Sequence, residues 1–219
     1  MKYFLAICLS ATLLFGCSKE DTKTTNTNNG IDTTTKEKII EIKTSFGSMY
    51  MWLYKETPLH RANFLALADT NFFDNTTFHR CVTNFVIQGG DPNSKDADPT
   101  NDGSGGPGFT IPAEIDSSNK KLLHTYGAIG AARLGDAQNP TKASSGSQFY
   151  IVLPTAGTAF LNGNYTVFGR IIKGMDVAAV IVKQPKNANN NRPNTDIKMD
   201  VNVLTKTLQQ LKDEYNFVP

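Results

Sequence analysis

Apolar and polar residues alternate in "EKIIEIKT" (37–44), which puts Ile40 and Ile42 on one face of a predicted strand. Gly47 marks a turn, and "SMYMWLY" (48–54) continues as a strand apolar on both faces. The spacing then changes. In "TPLHRANFLALADT" (57–70), Leu59, Asn63, Ala66 and Leu67 lie close to one stripe with Phe64 beside it, which predicts a helix. Thr57 suits its N-cap and Pro58 its first position, and Asn71 ends it. Residues 92–108 are rich in Asp, Pro, Asn and Gly and read as a long loop. "FTIPAEI", "YGAIGAA", "QFYIVL" and "YTVFGRII" are short apolar segments, and "ARLGDAQNPTKASSGS" separates the second from the third. "GMDVAAVIVKQ" predicts a second helix capped near Asp176, and "NTDIKMDVNVLT" a last alternating strand. "KTLQQLKDEYNFVP" is a polar tail with room for a short helix.

Eight strand candidates, joined mostly by turns, and two helices result. That pattern favours a mainly β, closed antiparallel barrel over a doubly wound sheet.

The first residues differ from the rest. "MKYFLAICLSATLLFGC" has one cation, Lys2, followed by an apolar run from Tyr3 to Phe15. The run is too short to span a bilayer and suits a signal peptide, residues 1–16. "LFGC" resembles a bacterial lipobox, which implies cleavage before Cys17 and lipidation of that cysteine. Residues 18–36, "SKEDTKTTNTNNGIDTTTK", bury too little apolar area to offset chain entropy and read as a flexible tether on Cys17. Cys8 leaves with the leader, so Cys81 alone remains as a free thiol and no internal disulfide is expected. The expected setting is a bacterial envelope, with the chain held on a membrane, most naturally the outer one, by Cys17. Whether it faces the periplasm or the surface is left open.

Composition narrows the chemistry. Of 219 residues, 39% are hydrophobic, enough for one sizeable core. Charged residues make up 19% and the net charge is +2, too even to favour nucleic acid. The three histidines offer no base for a nucleophile. His60 falls on a helix and is expected at the surface, His79 points away from Arg80, and His124 sits in a polar stretch. No G-x-S-x-G elbow, metal-ligand spacing or phosphate loop occurs, so no metal or cofactor is expected. An arginine, two glutamines and several aromatics remain. Strand alternation puts Phe78 with Arg80, Val86 with Gln88, and Gln148 with Tyr150, while Phe149 and Ile151 point to a core. Phe85 reaches Arg80's side only through an irregularity. The sum is a polar and aromatic groove on a barrel wall.

"FDNTTFHRCVTNFVIQGGD", "GSGGPGFTI", "GSQFYIVL" and "FLNGNYTVFGRIIKGMDV", in this order, resemble the cyclophilin-type peptidyl-prolyl cis–trans isomerases. The resemblance covers about residues 38–205 of an expected 37–205 domain followed by a 206–219 tail. It implies a closed eight-stranded antiparallel barrel capped by two α-helices. It also implies catalysis of X–Pro rotation, with Arg80 as the catalytic residue. Phe85, Val86, Gln88, Gln148 and Tyr150 are implied to bind substrate, as are Ala132, Arg133, Phe160, Leu161 and Tyr165. Phe160 stands where many members have tryptophan and supplies no donor, so cyclosporin binding is expected to be weak. Tyr150 stands for phenylalanine and Tyr165 for histidine, which is expected to add hydroxyls to the pocket mouth. The implied partners are proline-containing peptides and unfolded or partly folded envelope proteins, met by a monomer. A peptide-binding module of the same fold without catalysis is the second reading.

Overall fold

In a computed structural model, residues 27, 28 and 31–219 are described. The leader, Cys17 and most of the expected tether lie outside them. A small unit ends at Thr33, and in it Thr27–Asn28 pairs antiparallel with Ile31–Asp32. The second unit, from Thr34 to Pro219, carries everything that follows. No helix among the described residues is long and apolar enough to cross a membrane.

The chain of the second unit opens with a hairpin. Strand β1 (Lys36–Thr44) turns at Ser45–Phe46 into β2 (Gly47–Leu53), with Gly47 at φ +124°, backbone that suits glycine. Ile40 and Ile42 of β1 face Met51 and Met49 of β2 in the inner core. The other face of β2 is also covered, which is why its sequence is apolar throughout. Tyr50 meets Tyr215 of the C-terminal helix α3 (Leu208–Tyr215) at 5.0 Å, and Trp52 belongs to the same cluster as its fully buried Leu211. The Thr207 hydroxyl accepts from the Gln210 amide while the Gln210 side chain accepts from the Thr207 amide. The polar tail of the sequence is thus a capped amphipathic helix with a packing role.

Seven further strands complete one sheet. They are β3 (Thr76–Thr77), β4 (Arg80–Val82), β5 (Val86–Gly89), β6 (Ala128–Ala131), β7 (Phe149–Val152), β8 (Val167–Lys173) and β9 (Lys198–Thr207). Their order is β3-β9-β1-β2-β8-β6-β7-β5-β4, all antiparallel. The fold is mainly β, as the spacing predicts. The sheet has nine curled strands rather than eight, because the segment around Phe78 contributes two. Phe78 and His79 separate β3 from β4 and break the alternation there. Phe78 therefore turns into the inner core while Arg80 faces out. A separate two-stranded piece joins Thr110–Ile111 to Ser144–Ser145.

The inner core is largely aromatic. Phe64 of helix α1 (Pro58–Asp69) stacks on Phe73 at 4.6 Å and meets Phe149 edge-on at 5.5 Å. Burying each such ring contributes about 1.5–3 kcal/mol. Helix α2 (Met175–Ile181) adds Ala178 and Ile181. Its cap is Gly174 in the left-handed region, not Asp176, which lies in the first turn.

Helix α1 corrects two expectations. Its buried residues are His60, Phe64, Leu65 and Ala68, and Leu59 is exposed. The reason is Glu114, whose carboxylate accepts from the Leu59 amide (3.0 Å) and the His60 amide (2.9 Å). It takes the role expected of Thr57, whose side chain makes no capping bond. His60 Nδ1 also lies 2.6 Å from Glu114, and its ring packs on Phe168. His60 is therefore a core residue, not a surface one.

Burial is the largest influence on all three histidines and lowers each below its ordinary value. Glu114 opposes this at His60, Asp91 and Asp102 at His79, and Asn162 at His124. The unfolded chain takes up these protons near pH 6.5, and the folded chain only at lower pH. Between the two the unfolded state holds more protons, so stability falls as the pH drops. Denaturant midpoints are expected to fall from about pH 7.5 to about pH 5.5, each histidine contributing up to about 1.4 kcal/mol per pH unit within its window. A flat profile contradicts this account.

Candidate active site

One row of residues crosses the sheet. Arg80 pairs with Gln88, Gln88 with Tyr150, Tyr150 with Gly130, and Gly130 with Val167. Directly paired positions stand on the same face, so five strands deliver one surface. A continuous hydrogen-bond chain fixes its polar end. Gln88 Oε1 accepts from Arg80 Nη1 at 3.4 Å, and Gln88 Nε2 donates to Gln148 Oε1 at 3.0 Å. Gln148 Nε2 donates to the carbonyls of Gly103 (3.0 Å) and Gly105 (2.8 Å). The long loop therefore orients the arginine through two carboxamides.

That loop is tied from both sides. Asp91 accepts from the amides of Asn93 and Gly105, and Asp102 accepts from Arg192 Nε at 2.6 Å. Asp102 and Arg192 are both largely buried, and Arg192 also pairs with Asp196 at 2.8 Å.

Phe85 reaches the site by a turn rather than a strand. Its amide donates to the Val82 carbonyl, and Asn84 between them has φ +56°. The three-residue connection Thr83–Phe85 takes Phe85 out of the alternating register, which resolves the conflict that strand geometry alone poses. The ring lies 5.9 Å from the Arg80 guanidinium and stacks on Phe160 at 5.7 Å.

Nine of the expected residues line one cavity of about 260 Å³: Arg80, Phe85, Val86, Gln88, Ala132, Arg133, Tyr150, Leu161 and Tyr165. Gln148 stands behind Gln88 and is buried, and Phe160 is 70% exposed at the rim. Arg133 is not free to reach outward. Its Nε donates to the Asn164 carbonyl, its Nη1 to the Leu134 carbonyl and Asp136, and its guanidinium lies 4.5 Å over Tyr165. It forms a wall of the cavity.

Tyr150 departs from expectation. Its hydroxyl does not open on the pocket mouth. It is buried, 2.9 Å from His124 Nε2. His124 sits in a polar stretch of the sequence, yet it is 2% exposed and nearly parallel to the Tyr150 ring. Burial raises the Tyr150 pKa and lowers that of His124. Tyrosine is thus the donor and neutral histidine the acceptor at pH 7. One signal for this pair was in the sequence, because a tyrosine on a buried strand needs a partner for its hydroxyl. Cys81, behind Arg80, has its thiol pushed up to about 12 by burial and stays an inert core group.

The comparisons agree with this geometry. Residues 39–203 match the family model for cyclophilin type peptidyl-prolyl cis-trans isomerase/CLD. "Peptidyl-prolyl cis-trans isomerase-like 1" of Neurospora crassa is 35% identical over 162 residues, covering 73% of this chain and 90% of that protein. A peptidyl-prolyl cis-trans isomerase of Acinetobacter baylyi is 32% identical over 185 residues, covering 80% and 88%. A crystal structure of a Cryptosporidium parvum cyclophilin type isomerase, solved in the presence of the dipeptide Ala-Pro, is 27% identical with a TM-score of 0.63, covering 76% and 97%. The chain belongs to the cyclophilin-type peptidyl-prolyl cis–trans isomerases.

Gly130 is the residue of the row with no side chain, and the Tyr150 ring fills the space above it. A Cβ there would overlap the ring. Gly130→Ala is expected to destabilise the fold by about 1–3 kcal/mol. Displacement of Tyr150 is expected to lower kcat/KM for a proline tetrapeptide by about tenfold or more. Parent-like turnover would show that the ring does not form the floor.

Proposed function

We propose that this isomerase works at the Arg80 groove, and that it assists the folding of cell-envelope proteins from a lipid anchor on Cys17. Rotation about an X–Pro bond meets a barrier of about 18–20 kcal/mol because the amide is resonance-stabilised. No covalent bond need break, so neither a nucleophile nor a base is called for. Phe85, Val86, Tyr150 and Leu161 bury the proline ring. Gln88 and the backbone around Ala132 bind the peptide chain. As the amide twists, the prolyl nitrogen regains its lone pair, and an Arg80 N–H donates to it. The planar amide offers no such acceptor, so the bond favours the transition state.

The observation that carries this reading is the Arg80–Gln88–Gln148 chain beside a cavity that Phe85, Val86, Tyr150 and Leu161 also line. It holds a rigid donor fork at the edge of a space of proline size. Arg80→Ala is expected to lower kcat/KM for cis–trans exchange by about 10²-fold or more, the scale of losing one preorganised donor. Circular dichroism should match the parent. A variant as fast as the parent sinks the mechanism, and peptide binding without rate enhancement in the parent favours a non-catalytic module.

The sheet also bears a finer reading. Counting β3 and β4 as one strand broken at Phe78–His79 makes eight strands and joins the two edges into a closed barrel. The two-residue gap supports this, as does the Phe78 amide donating to the Ile197 carbonyl across the break.

The anchor rests on the sequence: an apolar run from Tyr3 to Phe15, "LFGC", and a polar stretch before the first long strand. Residues 1–16 then act as leader, 17–36 as tether and 37–205 as the catalytic domain. Two or more acyl chains would hold the chain on a membrane, at about 0.8 kcal/mol per buried CH₂. Expressed in a bacterium fed a labelled fatty acid, the parent is expected to carry label and Cys17→Ser none. Equal labelling would remove the anchor from the proposal.

A further inference from the structure

We infer that His124 is a positioning residue for the proline pocket, holding its floor and its rim in one arrangement through Tyr150 and Asn162. The inference rests on the reading of this cavity as the proline site. Three contacts meet at His124. Its Nε2 lies 2.9 Å from the Tyr150 hydroxyl, under the pocket floor. Its Nδ1 and its backbone amide both lie 2.9 Å from Asn162 Oδ1. Its carbonyl accepts from the Thr158 amide at 2.8 Å, and Gly157, at φ +75°, has no Cβ to collide with that oxygen.

These bonds fix the tautomer. Asn162 Oδ1 only accepts, so His124 Nδ1 carries the proton and the neutral ring presents Nε2 as an acceptor. The Tyr150 hydroxyl must then donate, which turns it away from the cavity and lays the ring over Gly130. The same Asn162 follows Leu161, which lines the cavity, and precedes Tyr165, which meets His124 and Tyr150 edge-on. Floor and rim belong to strands and loops far apart in sequence, and His124 is the group bonded to both.

Apolar replacement of one partner strands the other. His124→Leu leaves the Tyr150 hydroxyl buried without an acceptor, and the hydroxyl is then driven toward the cavity. Removing both polar partners relieves that conflict. The test is a double-mutant cycle with a proline tetrapeptide, reading KM and kcat separately. His124→Leu is expected to raise KM about tenfold with kcat within about threefold of the parent. Adding Tyr150→Phe is expected to bring KM back to within about threefold, since two apolar groups then meet. His124→Gln, which keeps an acceptor, is expected to stay close to the parent and guards against a variant that fails to fold. Parent-like KM in His124→Leu overturns the inference alone, as does a double variant no better than the single one. A parent that neither binds nor turns over the peptide overturns the site reading and this inference with it.

Discussion

The Gln148 carboxamide is the interaction on which the site depends. One side chain takes a bond from Gln88 and gives two to the 103–105 backbone, so it joins a strand of the sheet to the longest loop. An arginine on a strand has four rotatable bonds and no preferred direction. Here its direction is set by a neighbour that is itself held, and that neighbour is held by a buried amide. Buried amides are expensive to desolvate unless fully bonded. The bonding of Gln148 therefore makes the arrangement close to all-or-none.

The loop it grips needs support of its own. Glycines at 103, 105 and 106 give backbone close approach and no rigidity. Asp91 from one side and the Asp102–Arg192 pair from the other supply it. A largely buried ion pair adds little net stability because of its desolvation cost, but it selects one geometry sharply. The segment carrying Arg192 also covers the back of β4. Asn191 accepts from the Cys81 amide, and Lys186 donates to the Cys81 carbonyl. The strand bearing Arg80 is thus paired on both edges although it ends the sheet.

Much of this was legible in the sequence, and the exceptions have two causes. Alternation correctly put Val86 with Gln88 on the groove face and sent Phe149 and Ile151 to the core, because regular ladders enforce period two. It failed at Phe78 and Phe85, where the chain leaves the ladder for two or three residues. The helix at 57–70 was plain, but its buried stripe was not. A carboxylate 54 positions away, Glu114, takes the helix start and draws His60 inward. His124 stands in a polar stretch, and the groups that bond it, Tyr150, Thr158 and Asn162, lie 26 or more positions away. For both histidines the deciding partner was remote in sequence. Local pattern carries no signal of it unless a buried polar atom, such as the Tyr150 hydroxyl, advertises the need.

The C-terminal helix has a practical consequence. The chain contains one tryptophan, Trp52, and it lies 5% exposed, with Phe217 at 5.3 Å. Trp52 is not among the residues lining the groove. Tryptophan fluorescence in this protein therefore watches the docking of the last dozen residues and not the arrival of a peptide. Phe160 gives no tryptophan signal, so occupancy here must be followed by another probe, while undocking of the C-terminus carries its own colour.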